Sequence, residues 1–131
     1  KVHYPIAKHE ISIHAGAGLG GYFMNFGLSA GIKYKYKPFK NYNIRLLGEI
    51  DTHLCDDFFI PILVGINYEH RFNQNWSFFF YIGLGADLGY FGFSFSLETG
   101  FAYHKFLFGI NIYLLNMDDE GSVSFRLGYR F

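Results

Sequence analysis

The last ten residues, 122–131, read SVSFRLGYRF and decide the fold class of the chain. Apolar residues alternate strictly with polar or small ones along this stretch, from Val123 to Phe131. A period of two is that of a β-strand with one apolar face and one polar face. The stretch therefore predicts a strand that ends on an aromatic residue.

Seven earlier stretches repeat this alternation, and short segments rich in turn residues separate them. No part of the chain shows a sustained helical period. The eight predicted strands have the approximate bounds 9–19, 26–37, 42–54, 58–72, 76–90, 93–104, 106–116 and 122–131. An even number of strands of about ten residues, joined by hairpin turns, is typical of a closed barrel. The predicted fold class is all-β: an eight-stranded antiparallel up-and-down barrel.

The composition limits the classes of protein to which the chain can belong. Aromatic residues make up 22% of the 131 residues and charged residues only 17%, whereas about a quarter of a soluble domain is charged. The formal net charge is zero, which argues against a nucleic-acid partner because nucleic-acid-binding surfaces are basic. The length suits one domain, residues 1–131. The single Cys55 excludes an internal disulfide.

The two faces of the predicted strands differ in size as well as in polarity. One face carries Phe, Tyr, Ile or Leu at nearly every position and has no charge within the strand cores. The other face carries mostly Gly and Ser, with single charges. The interior of an eight-stranded barrel is just wide enough for side chains to fill, so the large apolar residues cannot all point inward. We therefore predict that the apolar face contacts lipid and that the barrel is transmembrane.

The polar face that remains for the interior has charges of both signs, close to balance. Buried charges are tolerated when they are paired, so these residues predict an ion-pair network in the lumen. Its predicted members are Glu10, Lys33, Arg45, Glu49, Glu69, Arg71, Asp87, Glu98, Arg126 and Arg130. Arg45 is expected opposite Glu69 on the neighbouring strand. Glu98 and Arg126 are expected near mid-barrel, and these four residues are the predicted centre of the network.

Aromatic residues collect near the strand ends at two levels, as in the interfacial girdles of transmembrane β-barrels. One predicted girdle contains Tyr36, Phe39, Tyr42, Phe72, Trp76, Tyr103, Phe106, Tyr129 and Phe131, and the other contains Tyr22, Phe23, Phe58, Phe59, Tyr90, Phe91 and Phe93. Lys35 and Lys37 alternate with two tyrosines. We interpret these lysines as rim residues near the membrane surface rather than as a nucleic-acid site.

The chain resembles the small eight-stranded outer-membrane barrels of Gram-negative bacteria, the OmpX and OmpA-barrel type. The alternating strands carry this resemblance, together with residues 60–65 (IPILVG), 68–72 (YEHRF) and 127–131 (LGYRF). It covers essentially the whole chain and implies a location in the bacterial outer membrane. It also implies that Tyr129 and Phe131 form the C-terminal signal read by the outer-membrane assembly machinery. Relatives such as OmpX have long extracellular loops that bind partners, whereas every predicted loop here is short.

The start of the chain bears on the location. No signal peptide is visible in the sequence, and no apolar run reaches the roughly 20 residues of a transmembrane helix. Lys1 is expected to be the mature N-terminus left after cleavage of a signal peptide, or else an arbitrary boundary of the chain.

Two motifs could indicate a ligand site. Residues 16–21 (GAGLGG) match the dinucleotide pattern G-x-G-x-x-G, but that motif works only before a helix, and no helix is predicted there. Asp51, His53 and Cys55 are metal-ligand residue types at alternate positions of one strand face near a rim. His14 lies inside on a non-adjacent strand, so a fourth ligand is not identifiable. We interpret Asp51, His53 and Cys55 as a hydrated rim cluster, and no metal or cofactor site is predicted.

Three functions follow from these interpretations. The first is a structural or interaction module with a plugged polar interior, which stabilises the envelope or contacts other membrane proteins through its aromatic outer surface. The second is a lipid-modifying outer-membrane enzyme, by analogy with PagL and PagP. The third is a soluble lipocalin-like carrier, which would need the apolar face to point inward.

The enzyme alternative needs a Ser/His/acid set that a lipid can reach. The lipid-facing histidines, His9 and His70, have no serine beside them on that face of their own strands. Other candidates share one strand face, but that face is the predicted interior: Ser94, Ser96, Glu98 and His104. No catalytic residue is therefore predicted, and the structural or interaction role is favoured.

Overall fold

The computed structural model describes residues 6–20, 25–39, 42–54, 58–89, 92–115 and 121–131. These residues form nine β-segments: β1 (His9–Gly20), β2 (Asn25–Tyr36), β3 (Ile44–Leu54), β4 (Phe58–Phe59), β5 (Pro61–Arg71), β6 (Trp76–Asp87), β7 (Gly92–Tyr103), β8 (Phe106–Leu115) and β9 (Gly121–Arg130). In this part of the chain no helix has the length and apolar character needed to span a membrane.

The segments close into an antiparallel barrel. Neighbours in the chain pair with one another, and β9 returns to pair with β1. β4 and β5 form one strand, because both pair with β3 in a single register, with His53 opposite Phe59 and Ile50 opposite Ile62. The ladder is interrupted beside Pro61, which has no backbone N–H to donate. The predicted eight-stranded up-and-down barrel is confirmed, and the largest difference in bounds is at β6, which ends at Asp87 rather than residue 90.

The two faces of the strands separate as the alternation predicts. Large apolar side chains point outward, and those of Val64 and Phe125 are 68% and 70% exposed. Polar and charged side chains point inward, and Arg45 and Asn67 are fully buried. This distribution is the opposite of the one that a soluble ligand-binding barrel would need, and it is the distribution of a transmembrane β-barrel.

Two threonines on the outer face have their hydroxyls satisfied by the backbone. Thr52 Oγ1 donates to the Ala30 carbonyl oxygen at 2.9 Å, and Thr99 Oγ1 donates to the Phe79 carbonyl oxygen at 3.2 Å. Unsatisfied polar groups cost several kcal/mol in the hydrocarbon core of a membrane. These two hydrogen bonds therefore make the threonines compatible with contact to lipid.

Large apolar residues that break the alternation lie inside the barrel, and several of them form two clusters near opposite ends of β8. Phe59 packs with Tyr113 and Leu115 at the end of β8, and Phe79 packs with Leu107 and Ala102 at its beginning. The prediction that Phe59 belongs to an outer girdle is wrong. Phe59 is one residue out of phase with the outward-facing Phe58, so its ring is buried in the lumen.

Candidate functional site: the charged interior of the barrel

Ion pairs within the barrel form two clusters at different depths. The first, here called the end cluster, lies where β1 and β3 begin and β5 and β9 end; it contains Glu10, Lys35, Arg45, Glu69 and Arg130. The second, here called the central cluster, contains His14, Lys33, Glu49, Asp51, His53, Glu98 and Arg126.

In the end cluster two arginines bridge the same two carboxylates. Arg45 Nη1 lies 3.0 Å from Glu10 Oε1, and its Nη2 lies 2.6 Å from Glu69 Oε1. Arg130 Nη1 lies 3.3 Å from Glu10 Oε1 and 2.8 Å from Glu69 Oε2. Lys35 Nζ lies 3.1 Å from Glu10 Oε2. Each carboxylate thus contacts at least two cations, which is what buried charges require.

In the central cluster Arg126 contacts three carboxylates. Its Nη1 lies 3.0 Å from Glu49 Oε2 and 2.8 Å from Glu98 Oε1, and its Nη2 pairs with Asp51 Oδ2. Lys33 Nζ lies 2.8 Å from the same Glu98 oxygen. Arg126 and Lys33 are the only cations described in this cluster, and Arg126 is the one that contacts all three carboxylates.

Asp51 also contacts two histidines, one on each carboxylate oxygen. His14 Nε2 lies 3.1 Å from Oδ1, and His53 Nε2 lies 3.0 Å from Oδ2. His14 reaches Asp51 across β2 because Gly31 lies opposite both residues in the sheet. A Cβ on Gly31 would lie only 2.6 Å from Asp51 Oδ1 and 2.9 Å from His14 Cε1. The missing side chain of Gly31 therefore leaves the space in which the two residues meet.

Eight of the ten residues predicted for the lumen network form ion pairs in the structure, and they are Glu10, Lys33, Arg45, Glu49, Glu69, Glu98, Arg126 and Arg130. The pairs Arg45–Glu69 and Glu98–Arg126 both form. The expected register is wrong, however, because Arg45 lies opposite Asn67 rather than Glu69 in the ladder with β5. The expectation that these four residues share one central network is wrong, since the pairs lie in different clusters.

The other two predicted members of the network have different partners. Asp87 accepts hydrogen bonds from the Tyr113 hydroxyl at 2.5 Å and from the Gly89 backbone N–H at 2.8 Å. Arg71 Nη2 donates to the Gln74 carbonyl oxygen at 2.9 Å, near the end of the barrel. Asp87 therefore orders the opposite end of the lumen, where β6 ends.

The structure corrects two predictions about residues near the barrel rim. Lys35 and Lys37 lie where β2 ends, as expected of rim residues, but both are buried; Lys35 is 3% exposed and pairs with Glu10. Asp51 and His53 were expected in a hydrated rim cluster, but they are 1% and 3% exposed and belong to the central cluster. Cys55 lies outside the described residues.

Aromatic residues at the end of the barrel where β1 begins and β9 ends contact one another in pairs. Ring centroids are 4.7 Å apart for Trp76 and Tyr103, and 5.5 Å apart for Phe106 and Tyr129. Further ring contacts join Tyr36 to His9, Tyr42 to Phe39, and Tyr129 to Phe131. Of the second predicted girdle, Tyr22, Phe23, Tyr90 and Phe91 lie outside the described residues. The role of Tyr129 and Phe131 as an assembly signal stays a prediction.

The glycine-rich stretch does not have the structural context of a nucleotide site. Its residues up to Gly20 belong to β1, which pairs with β2 on one side and with β9 on the other. A Cβ on Gly16 would contact the Phe125 carbonyl oxygen and the Arg126 side chain. These glycines therefore permit close approach of neighbouring strands and of Arg126.

Comparison with known proteins shows the fold. No protein-family model matches the chain, and no curated protein matches its sequence. The crystal structure of Neisserial surface protein A (NspA) is similar, with 11% identity over 95% of this chain and 96% of that chain and a TM-score of 0.68. The crystal structure of Ail, the attachment invasion locus protein of Yersinia pestis, is 18% identical over 96% of this chain and 100% of that chain, with a TM-score of 0.59.

A designed protein is similar as well. A de novo transmembrane β-barrel is 10% identical over 99% of this chain and 100% of that chain, with a TM-score of 0.65. The resemblance to small outer-membrane barrels is thus confirmed at the level of the fold: the chain has the architecture of an eight-stranded transmembrane β-barrel.

Proposed function

We propose that the protein is an integral protein of the bacterial outer membrane whose barrel is a closed structural or interaction module. The observation that carries this proposal is the buried ion-pair network of the lumen, in which the fully buried Arg45 binds Glu10 and Glu69. The apolar outer surface supports contact with the bilayer. The outer-membrane location is supported by the structural similarity to Ail, which is an outer membrane protein.

A closed lumen is favoured over a pore by what fills the barrel. The central cluster lies between the apolar cluster of Phe59 and Tyr113 and the end cluster. The cavity beside His53 and Ser122 has a volume of only about 10 Å³, which is about the space of one water molecule. A larger cavity of about 610 Å³ lies at the mouth of the barrel, beside Glu10, Glu69 and Arg130. Beyond it the interior of an eight-stranded barrel is just wide enough for side chains to fill.

Planar bilayer recordings test the closed lumen. The purified wild-type protein is expected to give no steady conductance, because its interior charges contact each other rather than water. A double variant that removes two charged side chains from the central cluster, Arg126→Gly with Glu98→Gly, is expected to conduct and is the positive control for insertion. Steady, salt-dependent conductance of the wild type would contradict the proposal.

The interaction role places partners on the outer surface. Connections are short at both ends of the barrel: two residues separate β7 from β8, and five separate β8 from β9. The outer face offers aromatic and aliphatic side chains on every strand, so lateral partners within the membrane are favoured over soluble ligands. The assembly machinery is a further proposed partner, through Tyr129 and Phe131.

Site-specific photocrosslinking in the outer membrane tests the interaction role. A crosslinking residue at Phe125, on the outer face, is expected to capture a specific membrane partner. The same residue at the inward-facing Asn111 is the control and is expected to capture none. Identical patterns from both positions would contradict a lateral interaction surface.

A second candidate, an enzyme acting on lipid esters, is favoured by one chain of hydrogen bonds. Ser122 Oγ lies 3.0 Å from His53 Nδ1, and His53 Nε2 lies 3.0 Å from Asp51 Oδ2. A serine, a histidine and an acid in this order are the parts of a hydrolytic triad. Against it, Ser122 faces the lumen and is 7% exposed, and Arg126 Nη2 lies 3.3 Å from His53 Nε2.

An active-site-directed fluorophosphonate distinguishes the two candidates. Labelling of the wild type that disappears in Ser122→Ala, together with a change in lipid A mass when the protein is expressed, would establish the enzyme. The structural proposal expects neither result. Ser124→Ala, which alters another inward-facing serine of β9, is the control for non-specific labelling.

A further inference from the structure

The geometry points to a binding site for one divalent transition-metal cation, formed by His14, Glu49 and Asp51 in the central cluster. These three residues come from β1 and β3, and one candidate ligand atom from each lies within 4.8 Å of the others. One imidazole nitrogen and two carboxylate oxygens are ligands suited to Zn²⁺ and related first-row cations. This inference does not depend on the proposed structural role of the barrel.

The separations between the ligand atoms fit a small cation. His14 Nε2 lies 3.1 Å from Asp51 Oδ1 and 3.6 Å from Glu49 Oε2. Tetrahedral Zn²⁺ with bonds of about 2.0–2.2 Å places its ligand atoms about 3.3–3.6 Å apart. The two separations from His14 already lie close to these values, and the candidate oxygens of Glu49 and Asp51 lie within 4.8 Å of each other. His14 Nδ1 can then carry the ring proton, so that the Nε2 lone pair faces the cation.

The charges around this site favour a cation. In the central cluster three carboxylates accompany two cations; they are Glu49, Asp51 and Glu98 with Lys33 and Arg126. Apart from its histidines, this cluster therefore carries one negative charge in excess. Buried charge is costly unless it is compensated, and a bound cation supplies positive charge that these side chains lack.

One carboxylate of the proposed site has an oxygen without a hydrogen bond to the described residues. Glu49 is 2% exposed, and its Oε1 atom has no hydrogen-bond partner in the described part of the chain. Its other oxygen, Oε2, contacts Arg126. Arg126 also holds Asp51 through Oδ2, which leaves Oδ1 directed at His14. The guanidinium therefore orients both carboxylates, as outer hydrogen-bond partners do around metal ligands.

The site depends on Gly31, which the sequence alone does not connect with metal binding. His14 and Asp51 lie on strands separated by β2, and they meet only because Gly31 has no side chain. A Gly31→Val variant would place methyl groups between them. This substitution is therefore expected to abolish cation binding without altering any of the three ligands.

Refolding into detergent with ZnCl2, followed by desalting and elemental analysis, tests the site. The wild type is expected to retain about one zinc ion per chain, because three protein ligands hold the cation. His14→Gln is expected to weaken zinc binding by at least about tenfold. Removing an outer hydrogen-bond partner of a metal ligand already weakens binding about 10–100-fold, and His14 is itself a proposed ligand. His9→Gln, at a histidine that contacts Tyr34 near the rim, is the matched control and should bind as the wild type does.

Two further measurements keep the test decisive if a variant folds poorly. Glu98→Gln alters the same ion-pair cluster but no ligand, so it should retain zinc; equal loss of zinc in Glu98→Gln and His14→Gln would overturn the site. The wild type refolded with Co²⁺ should show the visible absorption of a four-coordinate ion with nitrogen and oxygen ligands. Absence of that absorption, or zinc lost in His9→Gln rather than His14→Gln, would also overturn it.

Discussion

The ring of Tyr81 lies along β6 so that its hydroxyl occupies the space where a side chain on Gly83 would be. Both residues face the lumen, and a Cβ on Gly83 would overlap the Tyr81 hydroxyl and approach its ring carbons. Lys33 Nζ lies 5.3 Å from the centroid of the same ring. Tyr81 thus fills the space that the missing side chain of Gly83 leaves in the lumen, and its ring lies next to Lys33 of the central cluster.

Gly83→Ala is expected to destabilise the barrel by about 1–3 kcal/mol, the usual cost of overpacking a filled interior. The added methyl group must displace the Tyr81 ring, which in turn contacts Lys33. Urea unfolding in detergent micelles measures the loss. Gly48→Ala is the control, because a Cβ there meets no atom within 4 Å. Equal stability changes in the two variants would contradict the packing of Tyr81 on Gly83.

The ion pairs should show coupling within a cluster and additivity between clusters. Contacting charged residues usually couple by about 0.5–3 kcal/mol, whereas residues that share no partner are additive within about 0.5 kcal/mol. Arg45→Met and Glu69→Gln should therefore couple, since these side chains are 2.6 Å apart. Arg45→Met and Glu98→Gln should be additive. Strong coupling in the second cycle would mean that the two clusters act as one network.

Removing one partner of the central cluster should be more costly than removing a matched pair. Glu98→Ala leaves Lys33 and Arg126 with fewer carboxylates, and breaking a buried pair on one side costs about 3–5 kcal/mol. Replacing Glu98 and Lys33 together should cost less than the sum of the single losses. Unfolding free energies in the same detergent decide this, and a double variant that loses the full sum would contradict the pairing.

The fold could be predicted from the sequence because strand alternation reports directly on two different surroundings. In this barrel the outer solvent is lipid and the lumen is narrow, so each residue of a pair such as Phe125 and Arg126 is suited to only one side. Depth along the barrel is harder to predict. Lys35 has the same parity as Lys33, which correctly places it inside. Its burial at the end of the barrel depends on the partners that neighbouring strands supply, such as Glu10, which alternation does not encode.

The composition of the site was only partly predictable for a related reason. Charges of both signs on the inner face indicated pairing, but pairing across the lumen depends on which strands face each other. The contact of His14 with Asp51 cannot be predicted from the alternation, because a glycine on the strand between them indicates only a small residue there. The register that places Gly31 opposite both is the information that was lacking.

Charged substitutions on the outer face should be costly in proportion to their depth. Ile82 and Ile110 lie in the middle of β6 and β8 and are 40% and 43% exposed on the outside of the barrel. Ile82→Arg and Ile110→Arg should each destabilise by about 2–4 kcal/mol if they lie near the bilayer midplane. Refolding into lipid vesicles measures this. Asn75→Arg, in an exposed turn, is the control, and equal tolerance of both kinds of substitution would contradict a lipid-facing surface.

Phe131 should matter more for assembly in cells than for the stability of the folded barrel. Its ring is 67% exposed, and its centroid lies 5.2 Å from that of Tyr129 on the outer surface, so deletion leaves the lumen unchanged. Its backbone N–H donates to the Ile11 carbonyl oxygen at 2.9 Å, so the deletion removes one hydrogen bond of the barrel closure. One such bond contributes about 1 kcal/mol, and refolding from urea into detergent should therefore be only mildly affected.

Insertion into the outer membrane of living cells should fall much more in this deletion, because the terminal aromatic residue is the proposed signal for the assembly machinery. Quantitative blotting of outer-membrane fractions measures insertion, and the unheated and boiled forms on a denaturing gel report folding. Phe131→Ala keeps the backbone hydrogen bond while it removes the ring, and so separates the two effects. Normal membrane levels of Phe131→Ala would show that the ring is not read during assembly and that the end of β9 serves only to close the barrel.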